Sequence, residues 1–193
     1  MIHFLYHYFL TKSYDHGDLS HVYPITRSAP ALVLLFSIIF LKEKLSLFGV
    51  IGIIFLVIGV YIINLKKLSK LLDPFTSVFS EKQTQYAFLT LLCVAIYSVL
   101  DKVGITYYHP IILLYSLILI QAILFGIYIT KKKKKKEIIK EWRLNKLAII
   151  ICSVIGPIGY YLILLAFDLS KISYVVGLRQ LSVIFAVIMA GFI

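Results

Sequence analysis

The chain has 193 residues, of which 61% are hydrophobic, and a mean hydropathy of +0.94, whereas soluble domains are about 45–50% apolar. This excludes an ordinary water-soluble domain. The formal net charge of +11 sits mostly in short tracts flanking apolar runs, a pattern that points to anionic lipid and away from nucleic acid.

A helix needs about 20 apolar residues to cross the hydrocarbon core, and by that measure the sequence predicts one short span and six full ones. The short run covers residues 1–13, and the others cover roughly 20–41, 45–65, 86–107, 109–130, 147–167 and 174–193. The opening "MIHFLYHYFL" lacks a basic n-region and an A-x-A-like site, so it is not expected to be a secretory signal peptide. One long polar connector, Lys66 to Gln85, separates two halves, 1–65 and 86–193. A second tract, "KKKKKKEIIKEWRLNK" (Lys131 to Lys146), is shorter and strongly basic.

Alternating loops put Lys12, the lysines of the connector, Lys131 to Lys136, Lys140, Arg143 and Lys146 on one face, 14 of the 20 basic residues. The positive-inside rule makes that face cytoplasmic. Lys131 to Lys136 would then contact anionic lipid of a cell (inner) membrane.

Arg27 and Arg179 fall inside spans, where an arginine costs about 2.5–3.5 kcal/mol at a helix centre. They lie 152 residues apart, and that register matches spans one and two to spans six and seven. The repeat unit therefore holds five spans. An odd number turns the second copy upside down, the plan of many secondary transporters, whose substrate site lies near the midplane between the repeats. The register also predicts ten spans for a complete protein, so seven make an incomplete inverted repeat and the chain reads as a fragment.

Tyr23, Arg27 and Pro30 share one helix face at i, i+4 and i+7. Pro24 and Pro30 each free a backbone carbonyl that lipid leaves unsatisfied. Two readings stand: a cavity wall in which Arg27 holds an anionic group, or an arginine that snorkels to the interface or pairs with a loop carboxylate such as Asp15 or Asp18 and fixes the helix. Arg179 has the same two readings, with Gln180 and Ser182 adding polar atoms. Pro157, between glycines in "GPIGYY", marks either a binding discontinuity or a close helix contact. Gly49, Gly52 and Gly59 share a face that reads as helix packing. Cys93 and Cys152 have no CxxC spacing and read as small packing residues. No metal site is expected, because His3, His7 and the cluster "DHGDLSH" lack a third ligand fixed by spacing.

The stretch from Val22 to Asn64, "VYPITRSAPALVLLFSIIFLKEKLSLFGVIGIIFLVIGVYIIN", resembles the end of an EamA repeat of the drug/metabolite transporter superfamily. Pro30, Glu43, Gly52 and Gly59 occupy that repeat's motif positions, with Lys42 where a small residue is usual before the glutamate. "AIYSVLDKVGI" (Ala95 to Ile105) is similar to the start of the second repeat, Tyr97 and Asp101 standing for its aromatic and polar residues. Tyr160 to Gly191 is similar to that repeat's third and fourth helices.

The resemblance implies ten helices in two inverted halves and transport of small metabolites or drugs by alternating access, without cofactor or nucleotide hydrolysis. It implies cytoplasmic termini, against the charge rule. The chain is thus expected to be an all-α polytopic membrane bundle and not an enzyme, with a wall of Tyr23, Arg27, Tyr97, Tyr160 and Arg179. Asp101 is either a proton-coupling residue or one half of an interfacial ion pair with Lys102. Two other classes stay open: an inactive fragment, and a membrane-embedded lipid-modifying enzyme.

Overall fold

The computed structural model describes residues 1–15, 22, 25–63, 81–132 and 135–182, with the backbone alone described at residues 60, 61 and 63. Among these the chain is all helical. In order the helices are α1 (Ile2–Tyr14), α2 (Ala29–Leu41), α3 (Leu47–Ile63), α4 (Lys82–Tyr107), α5 (Pro110–Lys132), α6 (Lys135–Leu169) and α7 (Ile172–Arg179). Helices α4, α5 and α6 are long and apolar enough to cross a membrane. At 1.5 Å per residue the 23 residues of α5 span about 35 Å, enough for a hydrocarbon core of about 30 Å.

The residues fall into two compact units. One draws on Met1, His3 and Asp101–Leu169, the other on Ile2, Phe4–Leu100 and Ser170–Ile193.

In the first unit, α5 packs along α6. The turn between α4 and α5 is tight because Tyr108 N–H donates to the Gly104 carbonyl at 2.9 Å, and a Cβ at Gly104 would lie 3.0 Å from Leu113. Pro110 opens α5, where its missing N–H is not needed. Helix α6 starts at Lys135, so most of the tract expected as a connector is helical. Its run is broken at Asn145 (φ −120°, ψ 20°). Before the break, Ile138, Ile139 and Trp142 are exposed among Lys135, Lys136, Lys140 and Arg143. Pro157 lies inside the second stretch of α6 and deprives the Ser153 carbonyl of its usual helical donor.

In the second unit, α7 packs on α2 and α3, and α2 on α3. The span expected over 20–41 is interrupted. Ser28 N–H closes a turn onto the Ile25 carbonyl at 3.0 Å, and α2 begins at Ala29 with Pro30 in its first turn. There a proline is tolerated, since first-turn N–H groups have no helical partner. The far end of α2 closes through Lys42 at φ 52°, ψ 36°, and Glu43 N–H donates to the Ser37 carbonyl at 3.2 Å. A left-handed backbone strains any side chain with a Cβ, so Lys42→Gly is expected to raise stability by about 1 kcal/mol. Thermal unfolding of the detergent-solubilised variant checks this, and a lower midpoint would refute it.

Past that turn the Tyr174 hydroxyl accepts the Ser46 N–H at 3.1 Å, and a Cβ at Gly49 would overlap the Tyr174 ring. The expectation of a packing stripe holds at Gly49 alone. Added Cβ atoms at Gly52 and Gly59 would meet nothing within 4 Å among the described residues, as would those at Gly156 and Gly159. Cys93 is buried and Cys152 exposed, and neither forms a disulfide.

Candidate functional site

Helices α2 and α7 run antiparallel, and the contacts at their two ends show it. At one end the Glu43 carboxylate accepts the Ile172 N–H at 2.9 Å and the Ser173 hydroxyl at 2.8 Å. The first of these satisfies the leading N–H of α7, whose own N-cap residue, Lys171, supplies no side-chain capping bond. A carboxylate is favoured there by the helix dipole. Lys171 in turn donates to the Lys44 carbonyl.

At the other end lies a cavity of about 170 Å³. Arg27 approaches from the turn before α2, and Arg179 closes α7. Tyr6 of α1 and Thr90 and Tyr97 of α4 complete its polar wall with Gln180. Tyr6 and Tyr97 meet edge to face at 5.5 Å between ring centroids, and both guanidinium groups act electrostatically on the Tyr6 phenol. Gln180 is 7% exposed. Its Oε1 is a buried oxygen with no hydrogen-bond partner among the described residues. An orphaned acceptor of this kind carries a desolvation cost of about 1–3 kcal/mol unless something donates to it.

The structure thus brings Arg27, Arg179 and Tyr97 to one cavity. Tyr23 and Pro24 lie outside the described residues, as do Asp18 and most of "DHGDLSH". Asp15 accepts a bond from Lys12 at 3.0 Å. Among the described residues no three His, Cys, Asp or Glu side chains are grouped to hold a metal ion.

Tyr160 is elsewhere. In the first unit its hydroxyl donates to Asp101 Oδ2, while His3 Nε2 sits 3.1 Å from Asp101 Oδ1. Asp101 therefore faces His3 and Tyr160, and Lys102 donates to the Phe167 carbonyl instead. The ion pair with Lys102 anticipated from adjacency fails because neighbours at i and i+1 do not share a helix face.

Sequence reasoning missed Tyr6 and Thr90. Both carried a readable signal: Tyr6, Leu10 and Tyr14 recur at i, i+4 and i+8, and Thr90, Val94 and Tyr97 at i, i+4 and i+7, and all six line the cavity.

Comparison with known families gives one match. The description of the EamA-like transporter family fits residues 1–65 and 84–193. No curated protein and no solved structure matches the chain.

Proposed function

The chain belongs to the EamA-like transporter family, and from that premise we propose that it carries a small organic anion across the cell's inner membrane by alternating access. The observation that supports this reading is the meeting of Arg27, Arg179 and the orphaned Gln180 oxygen at one cavity. Guanidinium groups match carboxylate or phosphate through paired N–H donors. The amide oxygen asks for the reverse, a donor on the solute.

Together they describe a compact carboxylate that also bears a hydroxyl or amino group. A volume of about 170 Å³ lies below the range of about 300–1,000 Å³ for drug-sized ligands, so a small metabolite fits better than a drug. Tyr97 and Tyr6 would supply shape and hydrogen bonds. The solute leaves unaltered, and neither a cofactor nor nucleotide hydrolysis enters.

Lys131, Lys132, Lys135 and Lys136 would hold anionic headgroups at one membrane face, each contributing about 1 kcal/mol. Trp142 would sit at the interface, where its ring is favoured.

Thermal unfolding of the purified chain with a panel of small acids tests the solute class. A hydroxy or amino acid that fits is expected to stabilise by about 2.7 kcal/mol at a hundredfold excess over its dissociation constant. Its amide or ester should not. Equal stabilisation by the neutral analogues would overturn the anion assignment.

A further inference from the structure

Among the described residues, Gln180 Oε1 is the one buried side-chain atom whose hydrogen-bonding capacity is unused. Gln180 closes the C-terminal end of α7, where its own N–H returns to the Gly177 carbonyl at 3.0 Å. That bond fixes the place from which the side chain starts. The side chain is 7% exposed and forms part of the wall of the arginine cavity. Two hydroxyls of the same wall are committed elsewhere. Thr90 Oγ1 donates to the Tyr86 carbonyl at 2.8 Å, and Ser182 Oγ donates to the Arg179 carbonyl at 2.7 Å. A hydroxyl has a single proton to give, so neither has a second for Gln180. A buried acceptor left unpaired is rare in a folded chain and needs a cause.

A bound solute answers such an oxygen with a hydroxyl or with an ammonium group, and the two differ in charge and in donor count. An ammonium carries three protons, each of which needs an acceptor once buried. A hydroxyl carries one. The wall offers one orphaned acceptor and, among the described residues, no carboxylate. Arg27 and Arg179 both act electrostatically on the Tyr6 phenol of this wall, so an ammonium placed here meets positive charge. Like charges repel more strongly where water is excluded. A hydroxyl avoids both costs.

We propose that Gln180 is the specificity-determining residue of this cavity and selects hydroxy acids over both unsubstituted acids and amino acids. The guanidinium groups take the carboxylate, and Oε1 accepts the hydroxyl proton. This selectivity rests on the anion-binding reading above, which it narrows. An unsubstituted acid would bury the amide oxygen unanswered, and an amino acid would bring surplus donors and a misplaced charge.

Calorimetric titration of the full chain in lipid nanodiscs tests this with two matched sets of acids: propionate, lactate and alanine, then succinate, malate and aspartate. Within a set only the group on the second carbon changes. In whichever set binds, the hydroxy acid is expected to bind about 10- to 100-fold tighter than its unsubstituted partner, the range that one unpaired buried acceptor supplies. It should also bind tighter than the amino acid. Gln180→Met, which keeps the length and removes the oxygen, should bring the ratio of hydroxy to unsubstituted acid close to one. Gln180→Glu keeps an acceptor and adds a negative charge, so preference should move about tenfold or more toward the amino acid, whose ammonium a carboxylate pairs with. Damage to the fold lowers every affinity together, so the ratio within a set reports on the oxygen alone.

Equal affinities within both sets, or a preference for the hydroxyl that survives Gln180→Met, would overturn the role of Gln180 and leave the anion site standing. If none of these acids bound, the anion reading would fall and take the selectivity with it.

Discussion

Arg27→Ala is expected to slow exchange of a bound small acid by about 10- to 100-fold while leaving the fold intact. Hydrogen bonds to charged groups are worth about 1.5–3 kcal/mol, and each 1.4 kcal/mol is a factor of ten. Arg27→Lys should recover only part of the loss, since an ammonium keeps the charge but not the planar pair of donors. Arg179→Ala should behave alike, because both arginines line the same cavity. The decisive number is the double variant. If the two guanidinium groups hold one anion, removing the second after the first costs much less than it does alone, a non-additivity of at least tenfold. Counterflow of radiolabelled acid in proteoliposomes measures all four chains. Strictly multiplicative losses, or none, would show that the arginines serve different partners.

The largest effect on stability is expected at Glu43. Its carboxylate accepts bonds from Ile172 N–H and Ser173 Oγ, and so joins the α2–α3 turn to the start of α7. Glu43→Ala removes a charge-assisted pair and the favourable term at the helix N-terminus, together about 3 kcal/mol. Glu43→Gln retains one acceptor and should cost about half as much.

A second consequence follows from the length of α7. The whole helix is eight residues long, from its capped start at Ile172 to Arg179 at its end. Freeing the cap should therefore disturb the cavity wall too, and transport by Glu43→Ala should fall at temperatures where the chain is still folded. Unfolding midpoints and transport rates from the same preparation check both. A variant as stable as the parent would show that the carboxylate is dispensable to the joint.

The membrane character and the helices were legible because they depend on local chemistry. A run of about 20 apolar residues satisfies its own backbone only as a helix, and this holds for α4, α5 and α6 whatever they pack against. The cost of placing Arg27 and Arg179 was legible for the same reason, since a guanidinium inside an apolar run is costly wherever its helix sits. The resemblance of Pro30, Glu43 and the glycines to an EamA repeat was a matter of spacing along the chain.

Partners across long stretches of sequence were another matter. Asp101 beside Lys102 invited a pairing that helical geometry forbids. Its actual neighbours stand 98 and 59 residues away, and nothing local to α4 names them. Tyr160 looked like a cavity residue by its place in the repeat, yet its hydroxyl is held by Asp101. Glu43 showed as a motif position, but its target is 129 residues on, and only the antiparallel packing of α2 and α7 brings the two together.

The sequence by itself determined that this chain lives in a bilayer, as helices, with charges that must be answered inside it, because the transfer energies of side chains and backbone are properties of each segment alone. Tertiary structure decided which group answers which charge. That choice depends on the rotation and depth of each helix against its neighbours, quantities that no single segment carries.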